Sequence, residues 1–278
     1  EINSASAVTL VSGATTTVAG NLVLAGAGTP VFTNTTILMT SSTASIDGGG
    51  KTINNLTASS TGTIYVTSTD LTASGTLTIA TSTTLSINSG RTLTHSGSTL
   101  NLNGTISGAG TLIYQSATAF PALGTISSIL RLDTVNNSQI MPARTYGGAV
   151  EIYNSGATGK SVTMLAGTHT LNSNLVLNGS GSGNIALDGA TNNTTTTISG
   201  SVSYTAAGGS ESITASSSPW TISGNLDISG GSFTAPSGNL NLAGNYTNTV
   251  GTFTHSSGTV IFNGSGQQTL TGTINGGS

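Results

Sequence analysis

Residues 204–223, 224–243 and 244–263 read YTAAGGSESITASSSPWTIS, GNLDISGGSFTAPSGNLNLA and GNYTNTVGTFTHSSGTVIFN. Set beneath one another, they place Ile213, Phe233 and Phe253 in one column, each followed by a threonine (Thr214, Thr234, Thr254). Trp220, Leu240 and Val260 form a second column, and Ile222, Leu242 and Phe262 a third. The last two copies also share Gly224-Asn225 with Gly244-Asn245, and Ser237-Gly238 with Ser257-Gly258. A step of about 20 residues is the mark of a solenoid, whose coils bury their apolar face only against the coils above and below.

The apolar residues inside each copy fix the kind of coil. Leu240-Asn-Leu242 and Val260-Ile-Phe262 set apolar residues two apart, the period of a strand that points alternate side chains to opposite faces. A helical solenoid needs runs of helix formers, and these copies offer Thr, Ser, Asn and Gly instead. Each coil therefore reads as two or three short strands joined by tight turns, with equivalent strands parallel and about 4.8 Å apart. The expected fold is an all-β parallel β-solenoid with coils of about 20–24 residues. At roughly 20 residues per coil the chain makes about 14 coils and a rod near 65 Å long.

Composition narrows the function classes. Charged residues are 5% of the 278 and aromatics 4%, while Gly alone supplies 39, so the expected exterior is neutral hydroxyl and amide. Five Lys and Arg against eight Asp and Glu leave a net charge of −3 and no basic stripe, which disfavours nucleic acid. Disorder does not fit, because apolar residues are 35% and arrive in strand-period pairs. Cysteine is absent, so disulfides and thiolate metal sites are excluded. No apolar run comes near the length that a membrane-crossing helix needs, so no helical span is expected. The chain opens on Glu1 without a signal-peptide pattern, as a processed protein or a piece of one would.

Along the chain, residues 1–114 read as solenoid coils. Strand pairs begin at Leu77, Leu85, Leu93 and Leu100, suggesting a three-sided coil of about 23 residues in which Leu77 and Ile79 return as Leu100 and Leu102. Residues 115–160 hold Phe120-Pro121, Met141-Pro142, Arg131, Arg144 and Lys160, and are expected to form irregular coils or a loop excursion. Arg131 and Asp133 are expected to share a strand face as an ion pair. Residues 161–278 resume the regular pattern, and Asn174-Leu-Val-Leu-Asn178 echoes Asn21-Leu-Val-Leu-Ala25. Both ends read as open coils, so the protein is expected to continue or its subunits to stack end to end.

The repeat text resembles bacterial extracellular β-solenoid surface proteins, in the manner of filamentous haemagglutinins and autotransporter passengers. GNYTNTVGTFTHSSGTVIFNGSGQQTLTG (residues 244–272) is similar to repeats of very large secreted adhesins, and GTLTIATSTTLSINSGRTLTHSGSTLNLNGTISGAGTL (75–112) to autotransporter passenger text. The resemblance covers most of the chain except 115–160. It implies a right-handed parallel β-helix on the cell surface or outside the cell, serving as a shaft, adhesin or matrix element. The partners it implies are a second copy of the chain, neighbouring repeats of a longer chain, or surface glycans. It carries over no catalytic residue and no cofactor.

Candidate sites are few. Ser45-Ile-Asp-Gly-Gly-Gly-Lys51-Thr52 ends like a phosphate loop but lacks its first glycine and a following helix, and reads as a turn. The acids Glu1, Asp47, Asp70, Asp133, Glu151, Asp188, Glu211 and Asp227 are scattered singly, and His95, His169 and His255 lie at no metal-ligand spacing. No catalytic, cofactor or metal site is therefore assigned, and an enzyme is not expected. A polysaccharide-processing β-helix would need an acid cluster. Asn-x-Ser/Thr triplets, as at Asn34, Asn136 and Asn193, arise by chance in a chain so rich in these residues. Ser212-Ile-Thr214, Ser232-Phe-Thr234 and Thr252-Phe-Thr254 are expected to point hydroxyls outward in register. Stacked Thr-x-Thr rows are the pattern that ice-binding solenoids present, so ice binding is the main alternative to a structural role.

Overall fold

The computed structural model describes residues 12–24, 26, 30–133, 138–205, 210–228 and 230–273. None of these residues is helical, and their strands pair in parallel to form a β-solenoid of about 12 turns. The chain divides into two compact units, Glu1–Arg131 and Leu132–Ser278. Glu1, Asn136 and both chain ends considered above lie outside the described residues.

The first unit is three-sided. One face stacks Thr15–Val18, Thr36–Met39, Asn55–Ala58, Thr76–Ile79 and Thr99–Leu102. A second runs from Leu22–Val23 through Ser45–Asp47, Thr63–Val66, Thr84–Ile87 and Thr105–Ser107 to Thr125–Ile126. The third holds Lys51–Ile53, Leu71–Ala73, Thr92–His95 and Thr111–Tyr114. Leu77 pairs with Leu100 and Ile79 with Leu102, the return that the spacing predicts. Alternation sorts the side chains: within Thr36-Ile-Leu-Met39, Ile37 and Met39 are fully buried while Thr36 and Leu38 face outward.

The second unit repeats the plan with longer coils. Its faces begin at Ser138–Met141, Thr145–Tyr146 and Val150–Asn154. They end at Thr252–Thr254, Val260–Phe262 and Leu270–Gly272. Leu177 pairs with Tyr204 and Leu187 with Ile213, wider steps than any between paired strands of the first unit. From Ile213 the step settles to 20, through Phe233 to Phe253. These long middle coils explain why the turns number about 12 and not the 14 of a uniform repeat of about 20 residues. Residues 115–124 form no strand, and regular strands return at Thr125–Ile126 and Ile129–Leu132.

The corners are tied by side-chain oxygens that accept from the backbone of the next coil. In the second unit Asn174 Oδ1 accepts from Ser201 N–H (2.9 Å) and Ser201 Oγ from Asn225 N–H (3.0 Å). The ladder continues as Asn225 Oδ1 accepts from Asn245 N–H and Asn245 Oδ1 from Thr269 N–H, each at 2.8 Å. The glycine before the Ser201, Asn225 and Asn245 rungs is a matter of space: a Cβ on Gly244 would lie 2.2 Å from the Gly224 carbonyl oxygen. Each such bond satisfies a backbone donor that the turn takes out of the strand ladder. The first unit repeats the device with Asn21 under Ser45, Asn55 under Thr76 and Asp70 under Thr92.

Candidate functional site

Inside the C-terminal coils the side chains stack as the register dictates. Ile213, Phe233 and Phe253 pair in sequence, as do Trp220, Leu240 and Val260, and Ile222, Leu242 and Phe262. The Phe233 and Phe253 rings stack 6.1 Å apart at 11°, Trp220 meets Phe233 edge-on at 6.0 Å, and Tyr246 meets Phe253 edge-on at 5.9 Å. Val260 and Phe262 are half-buried, on the strand that edges its sheet. The others are buried.

Thr214, Thr234 and Thr254 pair in register and face outward beside Ser212, Ser232 and Thr252. That array is short. One coil earlier the two rows hold Asp188 and Ala186, and Asp188 folds its carboxylate onto the N–H groups of Ala190 and Thr191.

A longer hydroxyl array lies on the first face of the first unit. One outward row there runs Thr15, Thr36, Asn55, Thr76, Thr99. The row two positions along runs Thr17, Leu38, Thr57, Thr78, Asn101. Asn55 Nδ2 donates to Thr36 Oγ1 (3.4 Å) and Asn101 Nδ2 to Thr78 Oγ1 (3.3 Å), linking neighbours along each row. Sequence reading passes over these residues because the steps between coils vary: 21 from Thr15 to Thr36, 19 to Asn55, 21 from Leu56 to Leu77 and 23 to Leu100. The signal is present in the pairs Thr15/Thr17 and Thr76/Thr78, but no fixed period aligns them.

Ionisable side chains are dispersed. Asp47 accepts from the Thr69 hydroxyl and the Gly49 N–H, in a turn where Gly49 and Gly50 take positive φ. The Ser45–Thr52 phrase is thus strand, turn, strand. Asp133 pairs with Lys160 Nζ at 2.5 Å, both side chains buried. Glu151 accepts from Asn178 Nδ2 at 2.5 Å, and the Arg144 guanidinium lies 5.6 Å from the Tyr146 ring centre. Burial pushes the Tyr146 hydroxyl's pKa up and the Arg144 guanidinium's down. His255 is exposed, whereas His95 and His169 are fully buried. His95 stacks on Tyr114 at 5.6 Å and neither ring nitrogen has a well-formed hydrogen bond, so burial lowers its pKa to about 4 against weak opposition from the Ala73 backbone. His169 Nε2 lies 2.8 Å from the Leu165 carbonyl, and burial lowers its pKa too.

Glu211 lines a cavity of ≈ 360 Å³ with Ser210, Ser232 and Thr252. The space opens where Glu211 is followed in register by Gly231, which brings no side chain. Among the described residues no three His, Cys, Asp or Glu side chains gather as a metal site would require. No helix among them is long and apolar enough to cross a membrane. Comparison with known proteins gives no matching family, no matching curated protein and no matching solved structure.

Proposed function

We propose that this chain is a structural segment of a bacterial extracellular surface protein, a stiff shaft element able to associate with further copies or with neighbouring repeats. The observation that carries the reading is the in-register stack inside each unit: parallel strands pair coil on coil, apolar columns fill the interior, and side-chain ladders pin the corners. Such a stack resists bending because every coil is hydrogen-bonded to the next along the strands of three faces. Its outward residues are mainly Thr, Ser and Asn, so little charge repulsion opposes lateral contact with a second copy. A shaft needs no reaction centre, and function has to be argued from a site.

Location and association are the two testable parts. Immunogold labelling of the native source cells is expected to decorate their outer surface or material shed from it; label confined to the cell interior would remove the surface role. Sedimentation of the purified chain at rising concentration is expected to reveal species larger than one chain. A single monomer boundary throughout would remove self-association and leave the shaft dependent on neighbouring repeats.

A further inference from the structure

We propose that the first face of the first unit is an ice-binding surface. Its five strands hold outward Thr or Asn at every position but one, Leu38. Within a strand, outward neighbours alternate with buried residues and lie about 6.7 Å apart, and equivalent residues of successive coils are about 4.8 Å apart. This makes a rectangular grid of hydroxyl and methyl groups whose two repeats lie close to those of water oxygens on a prism plane of hexagonal ice. A grid of that kind holds water in ice-like positions before contact with the crystal, so less ordering remains to be done when the crystal is met.

Three further features of this face favour ice over a dissolved partner. Threonine is stiff about χ1, and the Asn55–Thr36 and Asn101–Thr78 bonds restrain the groups further. Directly beneath, Leu56, Ala58, Leu77 and Ile79 are fully buried, so the grid rests on a packed floor. No outward position of these five strands carries a charge, so no strongly bound hydration shell competes with the lattice. Other faces also hold threonine rows, Thr63, Thr84, Thr105 and Thr125 on the second face of this unit and Thr145, Thr170, Thr197, Thr221 and Asn241 in the second unit. Neither has a full second row of Thr or Asn beside it: in the second unit the companions are Thr168 and Thr195 alone. The second face of the same unit carries Asp47 and a protruding Tyr65, 41% exposed. The Thr214, Thr234 and Thr254 row meets Asp188 after three coils. The ice-binding role is independent of the shaft role, because it asks only for one flat face.

The test is freezing hysteresis and ice-crystal shape in solutions of the full chain. The wild type is expected to facet ice and hold a gap between melting and growth. Thr57→Val removes one central hydroxyl with almost no change of shape, and Thr78→Tyr breaks the plane; both are expected to narrow or abolish the gap while circular dichroism and melting stay those of the wild type. Thr84→Tyr, on the second face, is expected to leave the gap unchanged. Leu38→Thr completes the second row and is expected to widen it. No gap in the wild type, a gap that survives Thr78→Tyr, or one lost equally with Thr84→Tyr overturns the proposal.

Discussion

For single residues, the energetics are set by what the dry interior holds. Phe233 is fully buried between Ile213 and Phe253 in its column and takes the edge of Trp220. Phe233→Ala is expected to destabilise the second unit by about 3–5 kcal/mol, since it removes apolar surface and leaves a cavity that neighbouring coils are too well packed to fill. Urea unfolding followed by Trp220 fluorescence measures this, and a loss under about 1 kcal/mol would contradict the packing. His95 makes a different prediction. Its folded pKa, about 4, lies below the ordinary 6.5, so the unfolded chain takes the proton first. Its stabilising contribution is therefore whole above pH 6.5 and is lost as pH falls toward 4, about 3 kcal/mol in all. The adjoining strands, Leu71–Ala73 and Thr111–Tyr114, bring no charged side chain to offset the protonated ring. His169 acts in the same direction in the second unit. His95→Phe should flatten the acid limb of the first unit's melting profile, and an unchanged limb would locate the acid sensitivity elsewhere.

Among the elements, the corner decides whether coils can close. The strands are short and hold only a few ladder bonds each, so the chain's return from one face to the next has to satisfy its own backbone groups. Asn225 and Asn245 do this from the side-chain end, while Gly224 and Gly244 let the successive turns approach. Gly244→Ala is expected to push the last coils apart and lower stability by about 1–3 kcal/mol, because the Gly224–Asn225 backbone of the preceding coil stands in the way of the added methyl. Faster amide exchange at Leu240–Leu242 and Tyr246–Asn248 in that variant is the readout; exchange like the wild type's would mean the corner has slack. The Gly-Asn pair is plain in the sequence as a repeated phrase. That its glycine answers a close backbone approach and its asparagine a neighbouring N–H needs the register.

Across the molecule, scarcity of charge matters more than its sign. Five basic and eight acidic side chains are spread over 278 residues, and Asp133–Lys160 is a buried pair among them. Stability therefore rests on apolar burial and backbone pairing, and ion-pair screening has little to act on. Melting temperature is expected to change little between low and physiological salt, and a large drop on adding salt would point to electrostatic contacts that carry the fold. Sulfate should raise it in the ordinary way, by strengthening apolar burial.

The architecture is legible from the letters alone. Period-two apolar pairs between turn residues permit only strands, and a short fixed repeat permits only stacking, so Ile213, Phe233 and Phe253 can be aligned without coordinates. Where coils of unequal length come into register is not legible in the same way. A step that varies from coil to coil hides which threonines are neighbours, because adjacency is fixed by backbone pairing and not by count. Folding in three dimensions settles it, bringing Thr36, Thr57, Thr76 and Thr78 onto one uncharged face and turning His95 and His169 inward, where loss of water governs their protons.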